Sequence, residues 1–226
     1  MHAENFNLPR YFERIAYPGA AQPELACVTE IMRCHLRTVP FENLDVQAGK
    51  GVSLVPEDIV EKIVGRRRGG YCYEVNGLFA LALTALGVSW RFVGCRPMTY
   101  PARRPRTHMA ILATFAGDEW LCDVGFGSYG IRARVDDVWA DQYCFDLSPH
   151  EWVDFLPANW LNSTHPDTIF MKHLIVMKQT PEGREILFGD RLKTVVRHQT
   201  EVQQVAADEL SSVLAEHFDL RDVLPT

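Results

Sequence analysis

A chain of 226 residues with 47% hydrophobic content is long enough to bury a substantial core, as one large domain or two small ones. Its net charge of −6 excludes a general nucleic-acid binder, which carries a strong basic excess, and no run approaches the ~20 consecutive apolar residues of a membrane span. Met1-His2-Ala3-Glu4-Asn5-Phe6 has neither a basic nor an apolar leader segment, so the expected compartment is the cytoplasm, with no membrane partner.

The first third reads as helical. Asn7 can cap a short helix with Pro9 in its first turn, running through Tyr11, Phe12 and Ile15. Pro23 opens a second, with Leu25, Val28, Ile31, Met32 and His35 or Leu36 on one face. Ser53 and Pro56 precede a third, striped by Ile59, Val60, Ile63 and Val64. Gly69-Gly70 break the chain, and a helix beginning near Cys72 runs to about Leu86, with Gly87 as its stop.

From Ser89 the period becomes extended. Residues 90–95 read as a strand, and residues 108–115 and 120–124 flank the turn Ala116-Gly117-Asp118-Glu119. Residues 141–147, 169–177 and 184–188 are further strands, the last two joined by Thr180-Pro181-Glu182-Gly183. Residues 202–218 close the chain as an amphipathic helix. Helices first, then an antiparallel sheet or barrel, then a final helix make an α+β fold.

Six cysteines occur without a C-x-x-C pair, so neither a zinc ribbon nor a thioredoxin motif is indicated. Five read as small buried hydrophobes, and Cys72 stands apart through its surroundings. At a helix N-terminus it meets unpaired N–H groups and the positive end of the dipole, which favour the thiolate. His108 follows Thr107 in an apolar strand pattern, and Asp123 precedes Val124-Gly125-Phe126-Gly127. Cysteine, histidine and aspartate in that order can form a nucleophile, its base and the group that orients the base. Gly69 and Gly70 would let the backbone approach a substrate and leave amides to face an oxyanion. Each residue alone has a plainer reading, in packing for the cysteine and histidine and in a turn for the aspartate.

Two basic clusters stand near these segments. Arg66-Arg67-Arg68 could meet a phosphate or form a solvated face, and Arg103, Arg104 and Arg106 could greet an anionic cofactor tail or lie on an exposed loop. His165 belongs to a turn, and His173 and His198 have no evident ligand partners, so no metal is expected.

Together these segments resemble the arylamine N-acetyltransferase family. Val39-Pro40-Phe41-Glu42-Asn43-Leu44-Asp45 and the run from Arg67 to Asn76 are similar to its N-terminal signatures. Thr107-His108, Asp123-Val124-Gly125-Phe126-Gly127 and the segment from Asn159 to Phe170 match later ones. The resemblance implies an N-terminal helical bundle over residues 1–87, a shortened antiparallel β-barrel over 88–190, a small C-terminal α/β lid over 191–226, and a cysteine-protease-like catalytic core. It implies Cys72 as nucleophile, His108 as base and Asp123 as orienter, with Glu42 and Arg68 ion-paired nearby. Phe41, Thr107, Phe126 and Gly127 would line the acceptor and acyl pocket. Acetyl-CoA would be the co-substrate, with no tightly bound cofactor, and an arylamine or hydrazine would accept the acetyl group; homo-oligomers are a further option.

Between Gly127 and Trp139 the chain is shorter than the family pattern, which implies a cleft more open on that side. An amide synthase using a larger or carrier-bound acyl thioester, and a thiol hydrolase or transglutaminase-like enzyme, are the alternatives. A non-catalytic binding module is a fourth.

Overall fold

In the computed structural model, which describes residues 1–100, 102–127, 132–135, 138–197, 199–221 and 223, Asn7 accepts the Arg10 N–H and starts α1 (Leu8–Arg14). α2 (Leu25–Thr38) buries Val28, Ile31 and His35 on the expected face. A two-residue strand, β1 (Phe41–Glu42), and a short helix, α3 (Leu44–Gln47), follow. α4 (Pro56–Val60) continues into a π turn, Glu61–Gly65, which leaves Val64 half-buried and puts Lys62 in the interior. Arg14, itself buried, donates to the carbonyls of Ile63, Thr38 and Arg68 and so satisfies backbone acceptors where these segments end.

α5 (Cys72–Ala85) is the axis of the molecule. Glu74 reaches back to the Tyr71 N–H over 3.0 Å at its start, and Gly87 supplies the positive φ that ends it. Every residue from Cys72 to Leu83 is buried, so this helix is covered on all sides instead of presenting one apolar face.

Four strands form one antiparallel sheet in the order β4-β3-β2-β7: β2 (Ser89–Pro97), β3 (His108–Phe115), β4 (Asp118–Cys122) and β7 (Tyr143–His150). Phe115 pairs with Asp118, and Ala116 and Gly117 both have positive φ. The hairpin turn is therefore two residues long, and β4 begins two residues earlier than the sequence pattern predicts. Along β3, Met109, Ile111 and Ala113 join the main core with α5, while Ala110 and Leu112 face a smaller cluster with Val93, Cys95 and Tyr143. Among the described residues, β5 (Arg132–Val135) and β6 (Val138–Asp141) pair only with each other.

A 3-10 turn, Trp152–Phe155, leads into α6 (Leu156–Thr164). Residues 169–172 form α7 (Ile169–Lys172), capped by Thr168, so the strand expected over 169–177 is confined to β8 (Ile175–Thr180). β9 (Gly183–Phe188), β10 (Arg191–Val196) and β11 (Gln199–Gln204) complete a five-stranded antiparallel sheet, β1-β8-β9-β10-β11. The helix expected over 202–218 is thus split: β11 pairs with β10, and only α8 (Leu210–Phe218) is helical. β10 escaped the sequence reading because its buried residues, Leu192 and Val195, do not alternate strictly.

The described strands form open sheets, not the expected barrel. β8 and β9 pair with β1 and β10 instead of closing on β2–β4, so residues on both sides of position 190 share one sheet. Its core is separate: Val176, Leu187 and Leu192 of the sheet cluster with Val213, Leu214 and Phe218 of α8. Among the described residues no helix is long and apolar enough to cross a membrane.

Candidate active site

β1 ties the entry of α5 to the five-stranded sheet. Phe41 pairs with Met177 of β8 and bridges to Gly70, and the Glu42 N–H donates to the Gly70 carbonyl over 3.1 Å. A side chain at Gly69 would overlap the Pro40 carbonyl, and one at Gly70 would strike Glu74. The Gly70 N–H donates to Pro40. The glycine pair therefore serves close packing of the chain on itself, and neither residue lines the cavity beside Cys72, contrary to the oxyanion role expected for it.

Behind this junction lies a buried charge network. Arg68 donates to Glu42 Oε1 through Nε (3.0 Å) and Nη2 (2.8 Å), the pairing that the resemblance implies. Lys62 Nζ contacts Glu74 Oε1 and Asp45 Oδ2, each at 2.7 Å. Burial would lower the Lys62 ammonium, but Glu74, Glu42 and Asp45 outweigh it and hold it above its ordinary value. For Glu74 burial wins over Lys62 and raises the carboxyl.

Cys72 is the first residue of α5, and its Sγ lies 3.9 Å from the Thr107 carbonyl. Thr107 also accepts from Asn162 Nδ2 over 2.9 Å, which fixes the strand just before His108. His108 opens β3, and its ring packs against both Phe126 and Tyr143, with centroids at 5.0 and 4.9 Å, in a cluster of three mutually touching rings. His108 Nε2 meets Asp123 Oδ2 at 2.8 Å. Asp123 Oδ1 accepts from Asn76 Nδ2 (3.0 Å) and the Gly125 N–H (2.8 Å). Burial alone would raise the Asp123 carboxyl, but the charge and hydrogen bond of His108, then Asn76 and Gly125, hold it below the carboxylate range. Tyr143 also hydrogen-bonds Asp123, and burial followed by that carboxylate pushes its phenol up.

Cys72 departs from expectation. Its thiol is raised well above its ordinary value, first by burial and then by the Asp123 charge. The Tyr73 and Met109 backbone N–H groups pull the other way without reversing the shift. Only 3% of the residue is exposed, so desolvation exceeds the helix N-terminal effect on which the sequence expectation rests. A lone thiolate is disfavoured here.

Cys72 and His108 line one cavity of about 280 Å³. Phe41, Thr107 and Phe126 of the expected pocket residues line it as well, joined by Phe170 and Ile175. Gly127 is not part of the lining; its carbonyl accepts from Gln179 over 3.4 Å. The volume is close to the lower end of ligand pockets, roughly 300 Å³. Residues 128–131 and 136–137, in the segment expected to be shortened, lie outside the described residues, as does His198.

Three functional neighbours were not assigned roles from the sequence. Asn76 lies one helical turn beyond Cys72, a spacing that places both on one face of α5 and could have signalled it. Tyr143 and Asn162 carried no local signal, because only the packing of β7 and α6 brings them to His108 and Thr107.

The sequence model of the N-acetyltransferase family matches residues 24–135 and 129–223. An arylamine N-acetyltransferase of Mycobacterium tuberculosis is 32% identical over 95% of this chain and 89% of its own length. The solved structure of the M. tuberculosis arylamine N-acetyltransferase superposes with a TM-score of 0.88 at 32% identity, covering 94% of this chain and 93% of that one. A Mycobacterium marinum arylamine N-acetyltransferase in complex with CoA gives a TM-score of 0.88 at 30% identity, covering 97% and 95%.

Proposed function

This chain belongs to the arylamine N-acetyltransferase family, and from that membership and the geometry around Cys72 we propose that it moves acetyl from acetyl-CoA to an arylamine or hydrazine through a Cys72 acyl-enzyme. The observation that carries the reading is the 2.8 Å contact between His108 Nε2 and Asp123 beside a cavity lined by both His108 and Cys72.

With Nε2 engaged by Asp123, Nδ1 is the nitrogen available to take the Cys72 proton. The sulfur then attacks the thioester carbonyl, and the imidazolium, stabilised by Asp123, returns the proton to the departing CoA thiolate. The acceptor amine attacks the acetyl-sulfur carbonyl, gives its proton to His108, and releases the amide while Cys72 recovers its proton. Phe41, Phe126 and Phe170 supply a wall suited to a flat apolar ring. Donor and acceptor thus use the cavity in turn, a ping-pong sequence.

Incubation with acetyl-CoA or p-nitrophenyl acetate should leave one acetyl group on Cys72, read by intact mass and peptide mapping. That adduct should persist until an amine is added, which separates a transferase from a hydrolase. An unmodified Cys72 with both donors rules the reading out.

A further inference from the structure

We propose that β11 is a docking edge for a second copy of this chain, the copies joining antiparallel about a two-fold axis at Val202 so that their five-stranded sheets become one. β11 is the end strand of its sheet. Among the described residues it pairs with β10 alone, and all six of its residues, Gln199–Gln204, are exposed. Its register runs without a bulge from Gln204 opposite Arg191 to Gln199 opposite Val196. Such a strand holds a straight row of backbone donors and acceptors out to solvent.

One bond fixes which groups those are. The Val205 N–H donates to the Asp190 carbonyl over 2.8 Å, one step beyond the pairing of Gln204 with Arg191. Antiparallel bonding alternates, so Gln203, Glu201 and Gln199 turn their backbone groups to β10, while Gln204, Val202 and Thr200 turn theirs outward. A two-fold axis normal to the sheet sets outward residues against outward residues. With the axis at Val202, that residue faces its own counterpart and Thr200 faces Gln204 twice over, about six main-chain bonds in all. Glu201 then lies opposite Gln203. An axis at Glu201 or at Gln203 leaves about four bonds, and the former also sets the Glu201 carboxylate against itself. Bond count and charge select the same register. On that axis Val202, which is 59% exposed in the single chain, is covered by its own counterpart.

The other end strands of the two larger sheets are protected. β7 carries Pro149, β4 carries Asp118 and Glu119, and β1 is two residues long with its far side bridged to Gly70. β11 has no proline or lysine and a single charge, Glu201, on a chain whose net charge of −6 makes copies repel elsewhere. Because β1 closes the opposite edge, pairing stops at a dimer instead of growing into a fibre.

Sedimentation velocity over about 10 to 300 µM, the range in which an interface this small associates, tests the contact. The weight-average mass should climb from the 25.7 kDa of one chain towards twice that value. Val202→Pro removes only an outward-facing N–H, so it should hold the protein at the single-chain mass with its sheet intact. Val202→Lys, which sets two ammonium groups on the axis, should do the same. Gln203→Lys places a cation opposite Glu201 and should tighten association about threefold or more, whereas Gln199→Lys, with the same net charge, should not. A single-chain mass at every concentration overturns the proposal, as does a dimer that survives both Val202 variants. Equal association of the Gln203→Lys and Gln199→Lys proteins also overturns it, because Glu201 then does not face Gln203.

Discussion

Asn76 donates to Asp123 Oδ1 over 3.0 Å while its own side-chain oxygen accepts the Val124 N–H over the same distance. Its amide also reaches the Met109 carbonyl at 2.7 Å. One side chain on α5 therefore ties together the nucleophile's helix, the strand of His108 and the loop of Asp123.

Asn76→Ala should lower stability by about 1–3 kcal/mol, because it leaves the Met109 carbonyl and the Val124 N–H without their partner in a buried site. Denaturant midpoints measure this. Asn76→Asp should do more, placing a second carboxylate against Asp123 and raising its carboxyl. The acid limb of the pH–rate profile should then move to higher pH.

Asp123→Asn keeps the size of the side chain but removes the charge that stabilises an imidazolium. The burst of p-nitrophenolate from p-nitrophenyl acetate should slow by about 10³-fold or more, as for the equivalent change in the serine-protease triad. A slowing under tenfold would show that Asp123 does not orient the base.

The same variant should change the pH dependence of stability. Asp123 has a folded-state carboxyl lowered below its unfolded value of about 4. Its contribution is present above that value and is lost as pH falls through the depressed folded one. Melting temperatures of wild type and Asp123→Asn, followed from pH 6 to pH 2, should therefore converge below about pH 4.

A raised Cys72 thiol can react quickly near neutral pH only if His108 takes its proton. Iodoacetamide should label Cys72 faster than the exposed Cys144 in wild type, and slower than Cys144 in His108→Gln. Timed labelling with peptide mass spectrometry distinguishes the two sites. Equal Cys72 rates in the two proteins would remove His108 from the chemistry.

Lys62→Met should destabilise the fold by about 3–5 kcal/mol, since it strands Glu74 in the interior without its 2.7 Å ammonium contact, whereas Asp45 keeps Arg68 at 3.3 Å. Adding Glu74→Gln should restore part of the loss, because the glutamine carries no charge and its side-chain oxygen can still accept the Tyr71 N–H. Urea denaturation of the single and double variants measures the coupling.

Local signals settled much of this molecule in advance. The Asn7 cap, the helix that starts at Cys72 and stops at Gly87, and the hairpin at Ala116-Gly117 depend on neighbours within a few residues, so they are legible in one dimension. The order of Cys72, His108 and Asp123, with the motifs around them, was sufficient to name a family. Pairing at long range was not legible: β10 and β11 are strands because each supplies the other's backbone partners, although neither carries a clean alternating pattern. Open sheets instead of a barrel follow from the same kind of pairing, since β8 and β9 take β1 and β10 as neighbours. Tertiary structure also decided in which direction the Cys72 thiol shifts. A position at a helix N-terminus argues for a thiolate, but only folding buries Cys72 beside the Asp123 charge, and loss of water outweighs the dipole.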